Sequence, residues 1–64
     1  MDMNETAIKV LKILEESPGP IPGEQIAEQL GISVSNVWKQ IRELRRLGYR
    51  ISSSRGEGYR LEAR

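Results

Sequence analysis

The sequence predicts a mostly α-helical fold of the α+β class, three helices followed by a C-terminal two-stranded β-hairpin. Three observations carry this prediction. Apolar residues recur at helical spacing in three separate segments, Pro and Gly break the chain between the first and second, and from Tyr49 onward the apolar period changes to two. Sixty-four residues make one domain, 1–64, and a chain this short buries only about 60% of the surface it exposes when unfolded, so its core must be small.

The first helix is expected from about residue 4 to about 16. Ala7, Val10, Leu11 and Leu14 share one face, Asn4 can cap the start, and Glu5 and Lys9 form a favourable pair four residues apart. Ile8 and Ile13 flank the stripe, so either a second layer covers them or they meet another subunit. SPGPIPG, residues 17–23, then holds three Pro and two Gly, and no helix crosses it. Ile21, between two of those Pro, could add a short edge strand to a sheet.

GEQIAEQLG reads as a short second helix with Ile26, Ala27 and Leu30 inward, ended by Gly31 in a left-handed conformation. Its outer face, Glu24, Gln25, Glu28 and Gln29, is unsuited to lie on phosphates. Ser33 is a good N-cap for a third helix running to about Leu47, and Ile32 before it can staple to Val37. Gly48 stops this helix, and Tyr49 can fold back on Leu44 in a Schellman cap. Tyr49, Ile51 and Ser53, and then Tyr59 and Leu61, alternate with polar residues, and SRGEG between the two runs supplies the hairpin turn.

Ala27 lies four residues before Gly31, Val37 six after it, and Ile41 four further on. The small Ala lets two helices approach, the Gly makes the tight turn, and Val37 and Ile41 fill the angle of their crossing. Three helices with this spacing and a hairpin directly after the third form a winged helix-turn-helix arrangement, in which a wing stands beside a reading helix.

Composition narrows the function. The chain has no Cys and no His, so it lacks a disulfide, a thiolate or imidazole metal site and the commonest acid–base residue; no enzyme activity, metal or cofactor is expected. Apolar runs of a few residues cannot span a membrane, and a soluble, cytoplasmic protein is expected, with no small-molecule ligand within the chain. Net charge is only +1 but unevenly placed. Residues 1–32 carry two Lys against six acids, a net −4, whereas residues 33–64 carry eight basic groups against three acids, a net +5. Seven of those eight are Arg, which grips phosphate or guanine with a planar fork, and a polyanion partner is expected.

On the third helix Val34, Val37, Ile41 and Leu44 occupy one arc, with Trp38 and Arg45 at one edge and Leu47 at the other. The opposite arc holds Ser35, Lys39, Arg42 and Arg46, flanked by Asn36 and Glu43. Short side chains would let the first turn enter a major groove, where Asn36 can bond adenine and Lys39 can reach guanine, while Arg42 and Arg46 hold phosphates. Ser33, at the cap, belongs to the same outward end. Arg55 in the turn is the wing candidate, although Glu57 beside it repels phosphate. Trp38 is expected to seal the junction between the third helix and the first helix or the hairpin, rather than to stack on bases.

GEQIAEQLGISVSNVWKQIRELRRLGYRISSSRGEGYRL, residues 23–61, resembles the N-terminal winged-helix domain of the bifunctional biotin protein ligase and biotin operon repressor family. It aligns without a gap to that family's pattern GEQLAxxLGxSRxAVWKxIxxLRxxGYxIxxxPGKGYxL, with GEQ, VWK and GYRL together specific, and VLKILEE in the first helix looks similar. The resemblance implies a repressor-like domain that binds double-stranded operator DNA as a homodimer, the third helix in the major groove and the wing, 54–58, beside it. Val34 stands where the family often has Arg, so one implied contact is missing. Arg55-Gly56-Glu57-Gly58 replaces Pro-Gly-Lys-Gly, which moves the basic group across the Gly and carries a wing contact to Arg55 but not to Glu57. The family's ligase domain has no counterpart here, so the expected forms are a separate DNA-binding module, a stand-alone regulator, or a fragment of a longer ligase. A protein-interaction module, working through the acidic half and Ile8 and Ile13, is the alternative function.

Overall fold

The structure is a computed structural model that describes residues 3–63. Asp2 and Arg64, counted in the charge above, and Met1, included in the one-domain reading, lie outside the described residues. The elements are α1 (Glu5–Glu16), α2 (Gly23–Leu30), α3 (Val34–Arg46), β1 (Arg50–Ser54) and β2 (Gly58–Ala63), the winged helix-turn-helix order that the periodicities predict.

Each boundary has a local cause. Asn4 caps α1 with its side-chain oxygen accepting from Ala7 N–H at 2.8 Å, and Ser33 caps α3 by accepting from Asn36 N–H at 3.1 Å. Gly31, at φ 68°, ends α2, and Ile32 N–H donates back to the Ala27 carbonyl at 3.0 Å. After α3, Gly48 at φ 106° turns the chain so that its N–H reaches the Arg45 carbonyl and Tyr49 N–H the Leu44 carbonyl, the paired bonds of a Schellman cap.

β1 and β2 pair antiparallel with a register irregularity between Arg50 and Ile51, placing Ile51 opposite Leu61 and Ser53 opposite Tyr59. Ile21 forms the edge contribution that the sequence allows. It exchanges both backbone bonds with Tyr59 at 2.9 Å, so the Pro-rich connection runs along β2 as a one-residue third strand. Gly58, at φ 115°, is where β2 passes this segment: a Cβ there would lie 2.2 Å from the Ile21 carbonyl oxygen.

The core gathers Ala7, Val10, Leu11 and Leu14 from α1, Ile26 and Ala27 from α2, Val37, Ile41 and Leu44 from α3, and Ile21 and Ile51 from the extended segments. Ile13 packs partly against it, which answers one flank of α1, but Ile8 stays 48% exposed. Among the described residues no helix is long and apolar enough to cross a membrane.

Candidate nucleic-acid interface

α3 rests its apolar arc against α1 and α2, with β1 against its C-terminal part, and its other arc is left to solvent. Ser35, Lys39 and Arg42 are exposed on that free arc, and Lys39 and Arg42 have no polar partner among the described residues. Their charge is therefore available to an anion at no cost in broken ion pairs. Ser33 is exposed too, and because its oxygen accepts from Asn36 N–H in the cap, the hydroxyl proton and one lone pair are left to face outward.

Arg46 is exposed on the same arc and is engaged. Its Nε and Nη2 both donate to the Glu43 carboxylate, three residues back on α3. The hydrogen bond from Arg46, with its positive charge, lowers the Glu43 pKa below the ordinary carboxylate value, and the same bond raises that of Arg46. A phosphate reaching Arg46 must compete with this pair. Arg45 is committed elsewhere: its Nε and Nη2 donate to the Ile51 carbonyl at 3.0 and 2.7 Å, which ties the end of α3 to β1 and covers one acceptor on the open edge of the hairpin.

Asn36 is half-buried, and its side-chain oxygen accepts from Gln40 Nε2 at 2.8 Å. Gln40 is the buried polar residue of the core, 6% exposed, and its own oxygen accepts from Asn4 Nδ2 at 3.1 Å. The sequence reading overlooked Gln40. The signal was available, because position 40 lies between Val37 and Leu44 on the apolar arc, where an amide needs partners, and Asn36 is one turn away.

Trp38 corrects its expectation. It is 54% exposed, too open to act as a seal. The edge of α3 that carries it faces Gly23 and the wing. Gly23 has no side chain to cover an indole, and a Cβ built there would lie 3.7 Å from Trp38 Nε1 and 3.3 Å from Tyr59. The ring therefore forms one wall of an open cleft of 470 Å³ whose other walls are Pro22–Glu24 and residues 53–59, the turn of the hairpin with the strand ends that flank it. Arg55 and Glu57 both sit exposed in that turn, on the wing side of α3's first turns.

Two helices joined by a glycine turn, the second with a free polar and basic face, and a hairpin beside it define a winged helix-turn-helix domain. The chain belongs to the HTH domain family, whose model matches residues 6–60. Over 41 residues, 64% of this chain, it is 49% identical to two proteins named bifunctional ligase/repressor BirA, from Bacillus spizizenii and Bacillus subtilis. The match spans 13% of the length of each relative, so it concerns one module of a longer protein.

Proposed function

We propose that this chain is the sequence-specific, double-stranded DNA-binding domain of a repressor-like transcription regulator. α3 enters the major groove, the wing at 54–58 lies beside it, and two copies act as a homodimer on paired half-sites. The observation that carries the reading is the free arc of α3: Ser35, Lys39 and Arg42 stand exposed and uncommitted on a helix whose opposite arc is fixed in the core. A helix so held presents its outer side chains in one orientation, as groove reading requires. The repressor in the relatives' printed names supports the same reading; their ligase activity is not carried over to these residues.

Within this assignment Ser35, Asn36 and Lys39 discriminate bases, with Ser33 at the mouth of the groove. Arg42, Arg46 and Arg55 supply phosphate contacts that position the helix without reading sequence. Arg42 does so freely, Arg46 only by exchanging Glu43 for a phosphate, and Arg55 against the repulsion of Glu57. Selection of bound sites from a randomised duplex pool tests the proposal. A recovered motif with two spaced half-sites, bound with an affinity that falls steeply with salt, is the expected result. Recovery of no motif, together with salt-independent or absent binding, overturns it.

A further inference from the structure

Three amides form a directed chain from the start of α1 to the first turn of α3, and its direction is fixed at one end. Ala7 N–H is a donor, so the atom of Asn4 that faces it must be the oxygen. Asn4 then has only its NH2 to offer Gln40, at 3.1 Å, which turns the Gln40 oxygen toward Asn4 and its NH2 toward Asn36. Asn36 must answer with its oxygen, at 2.8 Å. Its NH2 is left on the half-exposed side, at the third position of the helix whose outer arc is the proposed reading face.

We infer that the helix cap at Asn4 sets, through Gln40, which end of the Asn36 amide is presented to DNA, and that Asn36 therefore presents its NH2, a hydrogen-bond donor, to the groove. The inference rests on the DNA-binding reading above and adds the base class that Asn36 selects. An Asn that bonds adenine in two-pronged fashion turns both its oxygen and its NH2 toward the base. Here the oxygen is turned inward to Gln40, so the NH2 is the group that faces the groove. It matches major-groove acceptors, N7 and O6 of guanine, O4 of thymine and N7 of adenine, and finds none on cytosine, which presents only an amino donor there. Asn4 and Gln40 are thus positioning residues, and Asn36 determines specificity at one base.

Asn4→Asp reverses the chain without removing the cap, because Asp serves at this position as well as Asn. One Asp oxygen keeps Ala7 N–H and the other can only accept, so Gln40 must turn its NH2 toward α1 and its oxygen toward Asn36. Asn36 then donates inward and presents its oxygen. Gln40→Glu reaches the same end state independently, since a carboxylate at 40 accepts from both neighbours.

The experiment has two arms on the full chain. In the DNA-free protein, NMR exchange of side-chain amide protons with water should be fast at Asn36 and slow at Gln40, and should become slow at Asn36 in Asn4→Asp. In site selection from a randomised duplex pool, one position of the motif that excludes cytosine in the parent should exclude guanine and thymine and admit cytosine in Asn4→Asp and in Gln40→Glu. Duplexes carrying guanine or cytosine at that position should exchange their order of affinity, by about tenfold each way. Slow exchange at Asn36 in the parent overturns the directed chain, whatever the DNA results. The expected exchange pattern combined with an unchanged motif in both variants overturns the specificity role while leaving DNA binding intact. The expected exchange pattern with no motif for the parent overturns the DNA-binding reading itself and, with it, the role given to Asn36.

Discussion

Gly58→Ala should detach the wing from the Pro-rich connection. Gly58 sits at φ 115°, where an L side chain costs about 1–2 kcal/mol by conformation alone. Its new Cβ would also fall 2.2 Å from the Ile21 oxygen, 2.3 Å from the Ile21 carbonyl carbon and 2.5 Å from Pro22 N, all backbone atoms with no rotamer to escape by. Relief requires the two segments to part, which breaks the reciprocal Ile21–Tyr59 bonds. At about 0.5–1.5 kcal/mol net for each bond, the loss adds roughly 1–3 kcal/mol. The total, roughly 2–5 kcal/mol, is a large share of the about 3–10 kcal/mol expected for a domain of this length. Gly56→Ala is the matched control: φ is 83°, but a Cβ there meets nothing within 4 Å, so only the conformational cost applies. Urea denaturation followed by circular dichroism gives both stabilities. Trp38 fluorescence reports the cleft that its ring shares with Gly58 and Tyr59. The expected result is that Gly58→Ala loses about 1–3 kcal/mol more than Gly56→Ala and shifts the Trp38 emission in native buffer. Equal losses in the two variants would refute the close approach of β2 to Ile21.

Three further outcomes follow from the commitments of the arginines and their neighbours. Glu43→Gln releases Arg46 and removes a like charge facing phosphate, so affinity for random duplex at low salt should rise severalfold and the salt dependence should steepen by up to about one ion, measured by fluorescence anisotropy across salt concentrations. Acid should reproduce this in the parent: because Arg46 lowers the Glu43 pKa, the pair persists at and above the ordinary carboxylate range and opens only as pH falls through the lowered value, so parent and Glu43→Gln affinities should converge there. Arg45→Met keeps the aliphatic stem but abandons the Ile51 carbonyl, and should lower stability by about 1 kcal/mol in urea titration while leaving duplex affinity nearly unchanged.

Much of the fold was legible because its signals are local. Asn4, Ser33, Gly31 and Gly48 each act on their own helix end, and they end the helices where the sequence places them, to within about a residue. Even Ile21, isolated between prolines, pairs as an edge residue because Pro removes donors on either side but not its own. What remained hidden depends on the partner across the gap. Trp38 stands at the edge of a buried arc, yet its exposure is decided by Gly23, fifteen positions earlier, offering no side chain to cover it. Arg45 and Arg46 are adjacent and chemically identical, and only the path of β1 and the rotamer of Glu43 assign one to the hairpin and the other to an ion pair. Gln40 was legible in principle as an amide on an apolar arc, but its second partner, Asn4, lies 36 residues away.

If the outer arc of α3 reads duplex DNA, Lys39, its exposed, unpaired cation nearest the first turn, must contribute to the discrimination. Binding of the parent and of Lys39→Ala to the selected duplex and to a scrambled duplex, in one buffer, measures that contribution. The expected result is a loss of about 1–3 kcal/mol on the selected duplex, a much smaller loss on the scrambled one, and hence relaxed specificity. Equal affinity of Lys39→Ala and the parent for the selected duplex would contradict it.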